Sequence, residues 1–199
     1  EAQRGNRIDL IDFIDIKNIK YDEDSICTST EFIGGNGAKG NKNSQRINRF
    51  IELDKDLGYL LGRFVGDGST WRQNKKSGYF VDSFNIAFSE KEIDQLNRIK
   101  DIIEKKFGIS VNINQNKNGS YYIRKTNPIL SLFLASICGK GFDKKQISNL
   151  IWESPADIKR SFLIGLIDAD GTVTKKQYIK IGLNNEALIN NIQALLNGI

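Results

Sequence analysis

The hydrophobic pattern predicts alternating helices and hairpins over most of the chain. Apolar residues recur at helical spacing in several long stretches, and shorter stretches between them alternate apolar and polar residues in pairs. From residue 47 onward the predicted order is helix, two strands, helix, two strands and further helices, which is an α+β fold. The expected helices span residues 54–66, 89–107 and 128–137, and the expected hairpins pair 70–73 with 79–88 and 109–115 with 120–125.

Capping and turn residues set the predicted ends of these elements. Asp54 or Asp56 is expected to cap the first helix, because a carboxylate accepts hydrogen bonds from free amides of the first turn. Ser89 followed three positions later by Glu92 has the capping-box pattern, and it is expected to open the second helix. Asn118 with the following glycine is the strongest turn signal and predicts the second hairpin.

The first 46 residues carry a weaker pattern and are interpreted as an N-terminal extension. Ile8 to Ile16 fits a short amphipathic helix slightly better than a strand, and Ser25 to Ile33 is rich in strand-forming residues. Gly34 to Arg46 is rich in Gly and Asn, carries only positive charge, and predicts a mobile loop. Since it lacks the spacing of a phosphate-binding loop, it is either a linker or a segment that follows a DNA backbone.

One segment occurs twice, as Tyr59 to Gly68 and again as Phe162 to Gly171, with an offset of 103 residues that carries Asp67 onto Asp170. Small residues recur at every fourth position, so each predicted helix has one nearly bare face. These small residues are Gly58, Gly62 and Gly66 in the first copy and Ser161, Gly165 and Ala169 in the second. Because glycine costs a helix about 1 kcal/mol relative to alanine, we expect the two bare faces to pack closely together. The chain divides accordingly into a first repeat at 47–155 and a partial second repeat at 156–199.

Asp67 and Asp170 occupy the last turns of the two predicted helices, where the helix dipole disfavours an anion by about 0.3–1 kcal/mol. Gly68 and Gly171 are expected to end the helices in a positive-φ conformation. If the bare faces pack together, both carboxylates emerge at the same end of the pair and offer a site for a divalent cation. Such a site suits in-line hydrolysis of a phosphodiester.

Composition narrows the possible functions only moderately. The net charge of +5 and pI near 9.1 favour an anionic partner, which leaves nucleic acid, acidic protein and membrane surfaces open. The chain has no histidine, which excludes a histidine base, triad or metal site. Its two cysteines lack a CxxC spacing and are interpreted as reduced packing residues of an intracellular, cytoplasmic protein. No signal peptide and no apolar run long enough to span a membrane is present, so no membrane association is expected.

The second copy of the repeat, from Leu163 to Gly171, resembles the LAGLIDADG motif almost letter for letter. The pair of motifs with the sequence between them resembles a double-motif LAGLIDADG homing endonuclease of the kind inserted in inteins, over residues 47–199. The resemblance implies an αββαββα repeat whose antiparallel sheets form a DNA saddle, with the second repeat truncated. It also implies a site-specific endonuclease that cleaves both strands of a long recognition site with Mg²⁺ or Mn²⁺.

The resemblance assigns roles to individual residues. Asp67 and Asp170 are the catalytic metal ligands, with help from the carbonyl groups of Gly66 and Ala169. The stretch from Lys145 to Ser148 looks like the family's K-x-I-P element with serine in place of proline, and its lysine activates or orients the attacking water. Lys144 is the rival for that role. Asp168 aligns with a valine in the first copy and is interpreted as structural.

Alternation along the strands predicts a polar and basic face opposite Val111, Ile113 and Ile123, suited to the grooves of double-stranded DNA. The residues expected to contact DNA are Arg72, Lys75, Lys76, Asn112, Asn114, Lys117, Tyr122, Arg124, Lys125, Lys175, Lys176, Gln177 and Lys180.

A second function is compatible with the same residues, namely a catalytically weak or inactive nucleic-acid-binding protein such as an RNA maturase or a DNA-binding regulator. Retention of both aspartates favours the nuclease, and the missing second hairpin of the second repeat favours the binding protein. The chain also has no methionine and is expected to be a fragment, completed by a further C-terminal segment or a second polypeptide. Alone it is expected to cleave poorly. A splicing intein is excluded, because the chain lacks an N-terminal nucleophile, histidine and a terminal His-Asn pair.

Overall fold

The structure, a computed structural model, describes residues 7–15, 19–33, 39–73, 83–91 and 93–199, with the backbone alone at 30–33, 39–43, 72–73 and 83–86. The helices are α1 Lys55–Gly66, α2 Ile93–Phe107, α3 Pro128–Cys138, α4 Asn149–Trp152, α5 Ala156–Asp170 and α6 Glu186–Asn197, with 3-10 turns at Leu10–Phe13 and Phe142–Lys144. The first six strands are β1 Arg7–Asp9, β2 Ile19–Tyr21, β3 Ser25–Ile33, β4 Lys39–Asn43, β5 Ile47–Asn48 and β6 Phe50–Glu52. The later strands are β7 Ser69–Gln73, β8 Ser83–Glu90, β9 Ile113–Gln115, β10 Tyr121–Thr126, β11 Gly171–Val173 and β12 Ile179–Ile181.

The two predicted hairpins of the first repeat form one four-stranded antiparallel sheet in the order β7-β8-β10-β9. Tyr122 in β10 lies opposite Ser89 in β8 and Asn114 in β9, which fixes the register of the three strands. The partial second repeat has one antiparallel pair, β11 with β12. The α+β class and the helix, hairpin, helix, hairpin, helix order are therefore confirmed.

Most predicted element ends are also confirmed. Asp54 caps α1 by accepting a hydrogen bond from the Leu57 amide at 3.0 Å. Gly108 follows α2 with φ of +67°, and Gly119 takes φ of +87° in the second hairpin. The capping box at Ser89 is wrong, because Ser89 lies inside β8 and its backbone belongs to the sheet, so α2 begins only at Ile93.

The first 46 residues are joined to the first repeat by strand pairing. Ile8 in β1 lies opposite Ile51 in β6, and Ile26 in β3 lies opposite Ile47 in β5, with all four side chains buried. The expected helix near Ile8 is instead a strand followed by a 3-10 turn, which Asp9 begins by accepting a hydrogen bond from the Ile11 amide. The extension is therefore part of the common core.

The predicted mobile loop from Gly34 to Arg46 is wrong over residues 39–43. These residues form β4, which pairs antiparallel with β3 in a register that sets Ser29 opposite Asn43. A polar segment can do this because main-chain donors and acceptors pair regardless of side chain. Residues 34–38 of the predicted loop lie outside the described residues.

Helices α1 and α5 lie against each other along their length. Their apolar residues, among them Leu60, Phe64, Phe162 and Leu166, belong to one hydrophobic core shared with α2, α3 and the sheet. Within the described ranges, each helix is too short or too polar to cross a bilayer.

Candidate metal-dependent catalytic site

The predicted small-residue faces meet in the contact between α1 and α5. A Cβ atom added to Gly62 would lie 2.0 Å from the Phe162 carbonyl oxygen, and one added to Gly165 would lie 2.2 Å from the Tyr59 carbonyl oxygen. These distances are far below van der Waals contact, so the main chain of each helix occupies the space of a missing side chain. The helices therefore approach backbone to backbone.

The other four small residues line the same contact. A Cβ on Gly66 would lie 2.2 Å from the Cβ of Ala169, and one on Gly58 would lie 2.9 Å from the Ile158 carbonyl oxygen. The Ser161 hydroxyl donates a hydrogen bond to the Lys55 carbonyl at 2.7 Å. The closest packing extends to Gly66 and Ala169, one residue before the two aspartates.

Gly68 and Gly171 follow the helices as expected, but the predicted positive φ is wrong. Gly171 has φ of −83° and ψ of 147°, and Gly68 is also outside the positive-φ region. Glycine is required here by close approach, since a Cβ on Gly171 would lie 2.3 Å from the Ile167 carbonyl oxygen and one on Gly68 would lie 2.5 Å from the Phe64 Cα.

The packing brings the ends of the two helices together at Asp67 and Asp170. Asp67 is the C-cap of α1, Asp170 is the last residue of α5, and a Cβ on Gly66 would lie 3.2 Å from the Asp170 Oδ2. Burial, with the nearby charge of Asp170, raises the pKa of Asp67 to about 6. Burial also raises the pKa of Asp170. The two acids therefore repel each other at neutral pH.

The donor set at this position fits a hard divalent cation. Carboxylate and carbonyl oxygens are the ligands that Mg²⁺ and Mn²⁺ prefer, and a cation between two repelling carboxylates relieves their repulsion. No cluster of three potential metal-ligating side chains occurs in the described part of the chain. Backbone carbonyls such as those of Gly66 and Ala169, water or phosphate oxygens would have to complete the coordination.

Lys145 lies beside the ends of the paired helices, whereas its rival Lys144 is exposed. The buried Lys145 ammonium donates hydrogen bonds to the Phe64 carbonyl and, at 2.8 Å, to the Gly68 carbonyl. Burial lowers the pKa of Lys145 to about 8. The same cleft is lined by Lys145 and Asp170, so the lysine is held where it can act on a group bound at the acids.

Sequence reasoning missed a second buried cation, Arg63 of α1. Its guanidinium forms an ion pair with Glu90, and its Nη1 lies 3.1 Å from the Gln95 Oε1. Its Nη2 lies 3.7 Å from the Asp67 Oδ2. The available signal was an arginine on an apolar helix at a position where the second copy of the repeat has Leu166.

Asp168 links the two helices. Its Oδ2 accepts a hydrogen bond from the Tyr59 hydroxyl at 2.9 Å across the helix pair. This placement agrees with its interpretation as structural.

One face of the four-stranded sheet gathers part of the predicted DNA-contacting set. Asn114, Tyr122 and Arg124 share this face, and the Arg124 guanidinium lies 5.3 Å from the Trp71 ring centroid and 5.5 Å from that of Tyr122. Lys125 departs from the prediction, because adjacent strand residues face opposite ways and its Nζ donates to the Ser110 carbonyl at 2.7 Å.

The remaining predicted DNA contacts lie in loops, in strands β7 and β12, or outside the described residues. Arg72 is in β7 with only its backbone described, and Lys75 and Lys76 fall outside the described residues. The exposed members of the set are Asn112, Asn114, Lys117, Arg124, Lys175, Lys176, Gln177 and Lys180. Opposite them Val111 and Ile123 are buried and Ile113 is half-buried, as the alternation predicts.

Comparison with known proteins identifies similar chains. A family model described as a LAGLIDADG-like domain matches residues 54–137 and 157–199. The chain is 26% identical over 162 residues to a DNA polymerase of Thermococcus hydrothermalis, covering 80% of this chain and 9% of the polymerase. It is 25% identical over 198 residues to a DNA polymerase of Thermococcus sp. strain GE8, covering 98% of this chain and 11% of the polymerase. The chain thus spans about a tenth of these relatives.

Solved structures share the fold at lower identity. The crystal structure of I-DmoI in complex with DNA and Mn superposes with a TM-score of 0.56 at 19% identity, covering 74% of this chain and 78% of I-DmoI. The complex of I-DmoI with DNA and Ca has the same TM-score and identity and covers 73% of this chain and 72% of I-DmoI. I-DmoI is described as a homing endonuclease.

Proposed function

We propose that this chain, which belongs to the LAGLIDADG-like family, acts as a site-specific homing DNA endonuclease that hydrolyses phosphodiesters in both strands with a divalent cation. The observation that carries the proposal is the position of Asp67 and Asp170 at adjoining ends of two helices in backbone contact. The fold shared with I-DmoI, which was crystallised with DNA and Mn, supports it. The much longer polymerase relatives support a module carried inside a host polypeptide.

In this mechanism Asp67 and Asp170 would hold the cation through their side chains, and the carbonyl oxygens of Gly66 and Ala169 would assist. Mg²⁺ or Mn²⁺ would lower the pKa of an attacking water and offset charge on the scissile phosphate. Lys145 orients that water or balances the phosphate charge from the cleft beside Asp170. The close helix contact keeps the two carboxylates in register, because neither helix can shift without a main-chain clash.

Double-stranded DNA is the proposed partner, bound along the polar face of the sheet. The Arg124 guanidinium lies near the Trp71 and Tyr122 rings on this face, and an arginine there can donate to a base edge. Asn114 beside Tyr122 adds an amide that can donate to and accept from a base. Lys117, Lys175, Lys176 and Lys180 are exposed and suited to phosphates.

The second repeat supports a further proposed partner, a segment of the same polypeptide that completes its sheet. The β11–β12 pair has two strands where the first sheet has four. Val173 and Ile179 lie opposite each other on this pair and are 69% and 55% exposed. Added strands and a helix would cover these apolar side chains, as α2 and α3 cover the first sheet.

The direct test is incubation of the protein with supercoiled plasmid bearing the host gene without its insertion. We expect linear product with Mg²⁺ or Mn²⁺, slowly with this chain and faster with a chain extended by the residues that follow it in its own gene. DNA binding with Ca²⁺ should accompany cleavage. Binding without cleavage by either protein would instead support the alternative function, a catalytically inactive nucleic-acid-binding protein such as an RNA maturase or a regulator.

Replacing Lys145 with methionine should slow cleavage by about 10²-fold or more, the usual contribution of a positioned acid–base group. Methionine keeps the buried apolar stem and removes the ammonium beside Asp170. The matched control is Lys144→Met, which removes the same charge from an exposed neighbour and should leave the rate unchanged. Since burial lowers the pKa of Lys145 to about 8, the wild-type rate should also change near pH 8, and Lys145→Met should lack that step. Equal rates in the two variants would remove Lys145 from the mechanism.

A further inference from the structure

The two halves of the candidate site differ at one buried position. The repeat offset carries Arg63 of α1 onto Leu166 of α5, and both side chains are fully buried. A guanidinium taken out of water is strongly destabilising unless its charge and its donors are satisfied. Arg63 therefore needs acidic or hydrogen-bond-accepting partners, which Leu166 does not need. These partners indicate the role of Arg63.

Two partners of Arg63 belong to β8 and α2, and a third, Asp67, belongs to the candidate metal site. Glu90 at the end of β8 pairs with the guanidinium and is itself largely buried, and Gln95 of α2 accepts a hydrogen bond from it. These two contacts fix the guanidinium from the sheet and from α2. Its nearest remaining ion-pair partner is Asp67, with 3.7 Å between Nη2 and Oδ2, and its charge also acts on Asp168 and Asp170 from beyond 4.0 Å. Among the described residues, Asp170 has no ion pair within 4.0 Å.

We propose that Arg63 is a positioning residue that holds the Asp67 carboxylate and makes the two aspartates unequal toward a divalent cation. The guanidinium attracts the Asp67 carboxylate at 3.7 Å and repels a cation placed beside it, whereas the charges of Arg63 and Lys145 act on Asp170 only from beyond ion-pair distance. Asp170 is therefore the stronger ligand, and Asp67 is the weaker but better oriented one. The inference rests on the proposed function, because it concerns the same pair of acids.

The test measures Ca²⁺ affinity from the shift in thermal midpoint and from calorimetry, with no cleavage involved. Arg63→Leu copies the residue of the second repeat but leaves Glu90 buried without its cation, so the metal-free protein should lose stability. The double variant Arg63→Leu with Glu90→Gln removes both charges and should recover most of that loss. Arg63→Leu should bind Ca²⁺ roughly threefold to tenfold more tightly than wild type, as expected for removing one like charge near a partly exposed site. The double variant also loses the Glu90 carboxylate, so its affinity should rise above that of wild type by a smaller factor.

The predicted difference in metal affinity between Asp67 and Asp170 gives a second measurement, the Ca²⁺ affinity lost when each aspartate is replaced. In the wild-type background Asp170→Asn should lose more Ca²⁺ affinity than Asp67→Asn, and in the double-variant background the two losses should become similar. The matched control is Arg160→Leu, an exposed arginine on α5 ten residues before Asp170, which should leave Ca²⁺ affinity unchanged.

The outcomes separate this inference from the proposed function. A double variant with wild-type Ca²⁺ affinity, or equal losses from the two asparagine variants in wild type, overturns the role of Arg63 and leaves the nuclease proposal intact. A wild-type protein that does not respond to Ca²⁺ counts against both.

Discussion

Asp67→Asn or Asp170→Asn should abolish cleavage while raising the stability of the metal-free protein. Each variant removes one of two carboxylates that act as a unit on the cation, so the cleavage rate should fall on the order of 10³-fold or more. The measurement is plasmid cleavage with saturating Mg²⁺, with Asp101→Asn, an exposed carboxylate on α2, as the control that stays active. Rapid turnover by either variant would exclude its aspartate from catalysis.

The stability gain follows from the raised pKa of Asp67, from 3.8 to about 6. Between those pH values the folded protein binds the proton more tightly than the unfolded chain, so stability falls as pH rises through that window and stays lower above it. The shift of about 2 units corresponds to about 3 kcal/mol at most. Because a third of this side chain is exposed, screening reduces the expected effect to about 1 kcal/mol.

Denaturant unfolding at pH 5 and pH 8 in the presence of EDTA measures this effect. Between pH 5 and pH 8 the free energy of unfolding should fall more for the wild-type protein than for Asp67→Asn. The control, Asp101→Asn, should show the same fall as the wild-type protein. A pH dependence unchanged by Asp67→Asn would show that burial and the charge of Asp170 do not raise the pKa of Asp67 in solution.

Gly62→Ala and Gly165→Ala should each destabilise the fold by about 3 kcal/mol or more, the upper range for overpacking a core. The added methyl carbon would lie 2.0 Å or 2.2 Å from a carbonyl oxygen of the facing helix, and main chain cannot move aside as a side chain can. This clash outweighs the gain of about 1 kcal/mol in helix propensity. Cleavage should fall as well, because separated helices separate Asp67 from Asp170.

The control for the glycine variants is Gly182→Ala, where an added Cβ has no neighbour within 4 Å and φ is not positive. Thermal or denaturant unfolding of the three variants gives the comparison. If Gly62→Ala were as stable as Gly182→Ala, the backbone contact between α1 and α5 would not exist in solution.

The sequence predicted the parts of the fold that depend on local pattern and on the repeat. The helices, the hairpins and the Asp54 cap follow from periodicity and capping chemistry, and the pairing of α1 with α5 follows from the repeated small residues. Pairing of β3 with β4 was missed because Lys39–Asn43 is polar and contains glycine and asparagine, and pairing through the main chain leaves no side-chain signal. The prediction of a helix cap at Ser89 was wrong because serine occurs both at helix N-termini and inside strands, and here it lies inside β8.

The candidate site was predicted less completely than the fold. Asp67, Asp170 and Lys145 were found through the repeat and the motif, but the surroundings of Arg63 depend on where β8 and α2 place Glu90 and Gln95. Nothing in the spacing of these residues shows that they meet. Lys125 was assigned to the polar face although strand alternation allows only one of two adjacent residues there, and the register with β8 selects Arg124.

Gly62 and Gly165 each contact a main-chain oxygen of the facing helix. The contact therefore requires that these two residues lack a side chain, and it does not require particular side chains opposite them. The side chains at Phe162 and Tyr59, whose carbonyls fill the gaps, contribute to the core but do not define the crossing. Buried apolar side chains elsewhere on the two helices can then be exchanged for others of similar volume while the crossing persists.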